Sequence, residues 1–145
     1  ILRTTFIVGF PGEDEDSFEE LYNFIENTKF DKLGVFTYSR EEDTPAFNFK
    51  NQVDETIKEY RRDKLMELQQ NISYSLNKKK IGEIYETIIE NQYEDNLYTG
   101  RSYMDSPDID GILYIHSNNP LEIGQFVKVL VTDSLEYDLI GEIVE

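Results

Sequence analysis

The sequence predicts two folds in series: part of an α/β domain, followed by a small all-β barrel. In the first 80 residues, strand-like segments rich in β-branched and aromatic residues alternate with segments of helical periodicity. From Ile81 onward the apolar residues follow a period of two in short segments separated by turns. The chain has 145 residues, enough for one ordinary domain or two small ones. We therefore expect the boundary between the two folds near residue 80.

The first half reads as one strand–helix–strand unit. Residues 2–8 and 33–38 are the expected strands, and the helix between them should end near Asn27. Its apolar residues share one helical face: Phe18, Leu21, Tyr22 and Ile25. A unit of this length favours parallel strands with a right-handed crossover. Because two parallel strands cannot bury both sheet faces, we expect further strands before Ile1 and regard the chain as part of a longer one.

A long helix is expected to follow a loop at residues 39–53. It should run from Asp54. For the earlier helix, Asp14 or Asp16 is expected to cap the first turn. Its end is expected near Asn77, where three lysines meet the negative end of the helix dipole. The apolar residues expected on its buried side are Ile57, Leu65, Leu68, Ile72 and Leu76.

The second half is expected to form a closed, five-stranded, antiparallel barrel of the OB kind over residues 81–145. Turns containing Asn, Asp, Gly and Pro separate its short strands. The expected strands are Ile84–Glu90, Gly100–Met104, Gly111–His116, Phe126–Thr132 and Leu139–Val144.

Composition excludes several kinds of site. The chain has no cysteine, so it can form no disulfide, thiolate nucleophile or cysteine-ligated iron–sulfur site by itself. Its single histidine, His116, argues against a Ser-His-Asp triad, and we interpret it as a surface strand residue. No apolar run approaches 18 residues, so we expect no membrane span and a cytoplasmic protein.

Charge is concentrated in the second half. The formal net charge is −16, and residues 81–145 carry fourteen acidic side chains against two basic ones, Arg101 and Lys128. This segment repels phosphate backbones, whose binding depends on Lys and Arg, and attracts basic partners. The alternative is that the acidity serves solubility alone.

Five segments, in order along the chain, resemble the radical-SAM methylthiotransferases. Residues 4–13 and 36–46 resemble two successive strand ends of the radical-SAM barrel, and residues 61–73 resemble the helix that joins this barrel to a TRAM domain. Residues 100–111 and 136–144 resemble the TRAM domain of the branch that modifies a ribosomal protein. The resemblance implies three regions: 1–53, the C-terminal part of a partial TIM-like barrel; 54–80, the linking helix; and 81–145, the TRAM domain.

The resemblance also implies a cofactor-facing edge. Glycines let a backbone approach a ligand closely, and barrel enzymes bind ligands at the carboxyl ends of their strands. The family usually has glycine where this chain has Asp43, a residue type that tolerates positive φ. The alternatives are a plain βα turn and, for Arg40, a surface ion pair with Glu41 or Glu42. The residues expected to contact S-adenosylmethionine are Gly9, Phe10, Pro11, Gly12, Glu13, Tyr38, Ser39 and Arg40.

The implied reaction needs residues outside this chain. In the family, one iron–sulfur cluster lies in an N-terminal domain, and a second is held by a Cys-x-x-x-Cys-x-x-Cys loop. A radical derived from S-adenosylmethionine takes hydrogen from the β-carbon of an aspartate, to which a methylthio group is added. The target is an aspartate of the twelfth small-subunit ribosomal protein. Because this chain has no cysteine, we assign it no metal ligand and no catalytic residue, and expect it to be inactive alone.

The acidic barrel is expected to dock the basic ribosomal protein. The residues we assign to docking are Glu83, Glu86, Glu90, Arg101 and Tyr103. The alternative for the glutamates is that they are solvated charges protecting strand edges. Two further functions remain open: a tRNA methylthiotransferase whose TRAM domain binds RNA, and a non-catalytic interaction module. An RNA-binding barrel would be expected to carry clustered Lys and Arg beside exposed aromatics, so nucleic acid is the less favoured partner.

Overall fold

The computed structural model describes residues 1–144. The chain divides into two units, Ile1–Ile72 and a second that begins at Ser73. The division falls inside the long helix, a few residues before the change of fold expected from the sequence. No helix among residues 1–144 is long and apolar enough to cross a membrane.

The first unit contains the expected strand–helix–strand arrangement. Strands β1 (Arg3–Val8) and β2 (Lys32–Thr37) pair in parallel, and helix α1 (Glu15–Thr28) lies between them in sequence. The helix begins where it does because Asp14 caps it: its carboxylate accepts a hydrogen bond from the backbone N–H of Ser17 at 2.9 Å. The parallel pairing predicted from the spacing is therefore confirmed, with Asp14 rather than Asp16 as the cap.

Helix α2 (Glu55–Lys78) follows a loop that contains a short 3-10 helix, Pro45–Asn48. Its buried face begins differently from the expected one. Leu65, Leu68 and Ile72 are buried as predicted, but the side chain of Ile57 is 43% exposed. Its place on the buried face is taken by Lys58 and Arg61, which are 1% and 4% exposed. The prediction for Ile57 was wrong because it assumed that only apolar side chains continue an apolar stripe.

The second unit contains a closed five-stranded barrel, and the predicted number of strands is confirmed. The predicted bounds of the first two strands were wrong. The chain turns at Asp95 and Asn96, where Asn96 has a φ of +63°, so the first strand is longer and the second begins earlier than expected. The strands are β3 (Ile84–Glu94), β4 (Leu97–Ser102), β5 (Leu113–His116), β6 (Phe126–Ser134) and β7 (Leu139–Val144).

The barrel is mixed, which corrects the predicted antiparallel fold. Its strand order is β3-β4-β5-β7-β6, and β5 pairs with β7 in parallel, with Ile115 opposite Gly141. The reason is that the number of strands is odd. Strand direction must alternate around a fully antiparallel ring, and five strands cannot alternate and still close. At least one parallel pair is therefore required in any closed barrel of five strands.

The barrel has an apolar interior because alternate residues of every strand point inward. At the end of α2, buried Asn77 donates hydrogen bonds to the carbonyl oxygens of Leu135 and Glu136 at 3.3 and 3.2 Å, which fixes the turn before β7. The core consists of Ile89, Tyr98, Leu113, Ile115, Val129, Val131 and Leu139. This unit therefore has a hydrophobic core of its own.

Candidate functional site

The turn after β1 and the end of β2 lie at the same edge of the parallel pair. The backbone N–H of Tyr38 donates to the carbonyl of Val8 at 2.8 Å, and the rings of Phe10 and Tyr38 meet edge to face at 5.2 Å between centroids. Two parts of the set predicted from the sequence, the Gly9–Glu13 turn and Tyr38, are thus brought together. We call residues Gly9–Glu13 the strand-end turn.

The strand-end turn needs glycine at two positions for different reasons. Gly9 and Gly12 have φ values of +76° and +94°, in the left-handed region that favours glycine. A Cβ on Gly9 would lie 2.2 Å from Cγ of Lys58, whereas a Cβ on Gly12 would meet no heavy atom within 4 Å. The absence of a side chain at Gly9 therefore makes room for Lys58 of α2, whereas the space beside Gly12 is open.

The side chains of Ser39 and Arg40 make contacts within the loop that follows β2. The Ser39 hydroxyl donates to the Glu41 carboxylate. The Arg40 guanidinium donates to the carbonyl of Phe47 at 2.8 Å and lies 4.5 Å from the centroid of the Phe47 ring. Both side chains therefore stabilise the loop that follows β2.

The same loop contains Asp43, the position at which the resemblance implies a glycine. Asp43 has a φ of +64°. Few residues other than Gly, Asn and Asp adopt this conformation readily. The loop therefore keeps a left-handed backbone at this position although the residue differs.

Lys58 closes the strand-end turn from the side of α2. Its aliphatic stem fills the space beside Gly9, and its Nζ donates to the carbonyl oxygen of Tyr38 at 3.1 Å and to Glu55 at 2.6 Å. The ammonium also lies 5.3 Å from the centroid of the Tyr38 ring. One side chain thus contacts the residues that follow both strands.

Arg61 holds the other end of the turn through Glu13. Its Nη1 donates to Oε1 of Glu13 at 2.7 Å and to the carbonyl oxygen of the same residue at 3.1 Å. Oε1 of Glu13 also accepts from the backbone N–H of Gly9 at 2.9 Å. The Glu13 carboxylate, predicted to contact a cofactor, is therefore already occupied within the protein.

Reasoning from the sequence missed Lys58 and Arg61, although a signal was present. Together with Leu65, Leu68 and Ile72 they recur at intervals of three and four residues, the spacing of one helical stripe. Long cationic side chains can continue such a stripe when their heads reach hydrogen-bond acceptors. The two residues extend the buried face of α2 by two turns toward its N-terminus.

The residues of this edge fit a small organic ligand and do not fit a metal cluster. The chain has no cysteine, and among residues 1–144 no three His, Asp or Glu side chains converge as a metal site, so an iron–sulfur cluster would lack ligands here. The Tyr38 hydroxyl, in contrast, is buried without a hydrogen-bond partner, Gly12 is open, and the Phe10 ring is 46% exposed. A ligand with polar groups and a flat ring, such as S-adenosylmethionine, suits these groups.

The residues predicted to dock a partner lie on β3 and β4 of the barrel or one residue beyond the ends of these strands. Glu90 accepts a hydrogen bond from Nε of Arg101 at 2.6 Å, and both side chains are about one third exposed. Glu86 is the cross-strand partner of Lys128, and both are exposed. The only two cations of residues 81–145 therefore lie beside two of the three predicted docking glutamates.

The third glutamate belongs to a group at the start of β3. Burial raises the pKa of the Tyr85 phenol, and the neighbouring Tyr103 and the Glu83 carboxylate raise it further. The Tyr85 and Tyr103 rings lie 6.4 Å apart, and Tyr103 is 79% exposed. Glu83 and Tyr103 therefore both lie near Tyr85, and Glu90 bonds to Arg101.

Comparisons with known proteins identify relatives of nearly the whole chain and a family model for its second half. A family model described as a TRAM domain matches residues 81–144. A protein of Clostridioides difficile named ribosomal protein uS12 methylthiotransferase RimO is 57% identical over 143 residues, which are 99% of this chain and 32% of that protein. The protein of the same name from Caldanaerobacter subterraneus is 52% identical over 142 residues, 98% of this chain and 32% of that protein.

A third protein of that name, from Clostridium botulinum strain Langeland, is 55% identical over 140 residues, 97% of this chain and 31% of that protein. The chain spans about a third of the length of the curated relatives it matches. By sequence the chain belongs to the RimO methylthiotransferase family, as a C-terminal portion of it, with a TRAM domain at residues 81–144.

Proposed function

We propose that the protein to which this chain belongs is a radical-SAM methylthiotransferase that modifies ribosomal protein uS12. The observation that carries the proposal is the identity of 57% over 99% of the chain to a protein named for that activity. In the reaction, one hydrogen on the β-carbon of an aspartate is replaced by a methylthio group. The first unit would supply part of the cofactor edge and the barrel would supply the docking surface for the protein substrate.

S-adenosylmethionine would lie against the open side of the strand-end turn. Phe10, Pro11 and Gly12 would contact it, together with Tyr38, whose buried hydroxyl lacks a partner within the chain. Bound S-adenosylmethionine supplies hydrogen-abstracting radical chemistry in this family. Ser39, Arg40 and Glu13 remain candidates for the cofactor edge, although their polar groups already bond to Glu41, Phe47 and Arg61. The iron–sulfur clusters would be ligated by residues outside this chain.

The barrel would dock uS12 through acidic side chains near β3. Electrostatic complementarity mainly raises the association rate and discriminates between partners. Arg101 already compensates Glu90, whereas Glu83 acts on the pKa of Tyr85, whose ring lies 6.4 Å from that of the exposed Tyr103. We therefore expect Glu83 and Tyr103 to contribute more to docking than Glu90.

The activity is tested with the complete enzyme after reconstitution of its clusters. Incubation with S-adenosylmethionine, a sulfur source and uS12 should add to uS12 the mass of a methylthio group less one hydrogen, at an aspartate. A tRNA anticodon arm is the parallel substrate. Modification of the RNA and not of uS12 would contradict the proposal and favour the tRNA-modifying alternative.

Docking is tested separately with the 145-residue chain and uS12. Reversing two charges by Glu83→Lys and Glu86→Lys should weaken binding by about tenfold, since each exposed charge pair contributes up to about 1 kcal/mol. Glu19→Lys with Glu20→Lys, on exposed positions of α1, makes the same charge change away from the barrel and should have little effect. Equal losses in both double variants would show a general charge effect and no docking surface. Tighter binding of the RNA, with a steep dependence on salt, would also contradict docking of a protein.

A further inference from the structure

Two cations of α2 are buried behind the strand-end turn. Lys58 and Arg61 are only 1% and 4% exposed. Burying a charge costs several kcal/mol unless hydrogen bonds and opposite charges compensate it, and well-packed apolar residues often stabilise a fold as well or better. Simple stability therefore does not explain why cations occupy these positions. What a buried cation can do, and an apolar side chain cannot, is bond to the backbone carbonyls of a turn.

Lys58 connects the two strand ends to each other. Its stem occupies the space that any Cβ on Gly9 would need, and its Nζ bonds to the carbonyl of Tyr38 at 3.1 Å. Movement of either strand end relative to the other would therefore break the bond or open a gap beside Gly9. The residue sets the separation of the two chain segments that carry Phe10 and Tyr38.

Arg61 fixes the conformation of the turn between Gly9 and Glu13. Glu13 accepts from the Gly9 N–H and from Arg61 with the same oxygen, so the arginine holds the carboxylate that holds the turn. A second bond, to the carbonyl oxygen of Glu13, leaves the guanidinium little freedom to rotate. Glu13 and Arg61 together therefore hold the backbone of Gly9 in place.

We propose that Lys58 and Arg61 are positioning residues for the S-adenosylmethionine edge. They do not contact the ligand. They hold the strand-end turn and the residue after β2 at the spacing that the ligand requires. This inference rests on the proposed function, because it assumes that the edge binds S-adenosylmethionine.

Two mild substitutions separate positioning from folding. Lys58→Met keeps an unbranched stem beside Gly9 and removes the Nζ bonds. Arg61→Lys keeps the charge and removes the guanidinium whose Nη1 bonds to Glu13 and whose Nη2 bonds to Glu15. The matched controls are Lys64→Met and Arg62→Lys, which make the same changes at more exposed positions of the same helix.

The first measurement is amide hydrogen exchange in the 145-residue chain. The N–H groups of Gly9 and Tyr38 bond to the Glu13 carboxylate and the Val8 carbonyl, so they report the turn and the strand end. We expect exchange there to accelerate about tenfold in Lys58→Met and Arg61→Lys, because a hydrogen bond to a charged group contributes about 1.5 kcal/mol or more. Exchange in β1, β2 and the barrel should stay as in the wild type. Acceleration throughout the first unit would indicate loss of stability alone and would overturn the inference.

The second measurement is equilibrium binding of S-adenosylmethionine and of uS12 to the complete enzyme. We expect Lys58→Met and Arg61→Lys to raise the dissociation constant for S-adenosylmethionine about tenfold and to leave that for uS12 within twofold of the wild type. The controls should change neither constant. Unchanged affinity for S-adenosylmethionine in both variants, or equal losses for both ligands, would overturn the inference. Failure of the wild type to bind S-adenosylmethionine would instead overturn the proposed function, whatever the exchange data show.

Discussion

The two units of the chain bury different kinds of side chain. In the first unit the buried residues include Lys58 and Arg61. Between Ser73 and Val144 the buried polar residues are all uncharged: Ser73, Asn77, Thr87, Thr99, Ser102 and Ser134. The barrel interior consists of aliphatic residues and Tyr98. The difference teaches that the barrel is held by its own apolar core, while one end of the first unit is held by charge–backbone bonds. Such bonds fix positions, and an apolar core mainly provides stability.

The largest expected effect tests the contribution of the buried cation Arg61 to the stability of the first unit. Arg61→Met leaves the mostly buried carboxylate of Glu13 without its cation and should lower the free energy of unfolding of the first unit by about 4 kcal/mol. Arg62→Met removes the same group from a half-buried site paired with Asp63 and should cost less than about 1 kcal/mol. Urea titration followed by exchange of β1 amides measures both. Similar losses of stability in the two variants would show that burial does not increase the contribution of Arg61 to the free energy of unfolding.

The next effect tests the apolar side. Ile115 is fully buried in the barrel, and Ile115→Ala should lower the free energy of unfolding by about 3 kcal/mol through lost packing and a cavity. Ile123 is 60% exposed, so Ile123→Ala should change it by less than about 0.5 kcal/mol. Exchange of amides in β5 and β7 should accelerate while those in β1 and β2 stay protected. Equal acceleration in both units would mean that they unfold as one.

A smaller effect sharpens the distinction between the two glycines of the strand-end turn. Gly9→Ala and Gly12→Ala share the strain of a positive φ, but only the first places a methyl group against the stem of Lys58. Overpacking of this kind costs about 1–3 kcal/mol, so Gly9→Ala should be less stable than Gly12→Ala by about 2 kcal/mol. Thermal unfolding compares them. If the order were reversed, Lys58 would not occupy the space seen beside Gly9.

The smallest expected effect is a loss of stability at low pH. Hydrogen bonds from the Ser17 hydroxyl and N–H hold the pKa of the Asp14 carboxyl below its usual value, and those from Thr56 do the same for the pKa of Asp54. A lowered pKa in the folded state contributes stability that is present above the unfolded value of about 3.9 and is lost as the pH falls through the folded pKa. Both carboxylates belong to the first unit, so below about pH 4 that unit should lose stability through them.

Asp14→Asn keeps a capping oxygen without a titrating charge, so it should flatten this part of the pH profile for the exchange of α1 amides. Asp16→Asn, in the first turn of the same helix, removes a charge but not the cap and is the control. A profile that is flattened equally by both substitutions would show that charge near the helix end matters and the cap does not.

Some features were predictable because they depend on neighbours in sequence. The cap at Asp14, the parallel pair β1–β2 and the five barrel segments follow from local hydrogen bonding and from the period of apolar residues. The positive φ of Asp43 suits a residue type that tolerates this conformation. The parallel pair β5–β7 was also predictable, since a closed ring of five strands requires one, but antiparallel pairing was assumed throughout.

The sequence by itself determined the elements, their order, the acidity of the second half and the membership of a family. Only the tertiary structure decided that Gly9 makes room for Lys58, that Glu13 bonds to Arg61, and that Arg101 lies beside Glu90. The physical reason is that these contacts join residues far apart in the chain, 48 positions apart for Arg61 and Glu13. A local pattern reports whether a side chain suits a buried face, but a buried cation is stable only where the fold places acceptors around it.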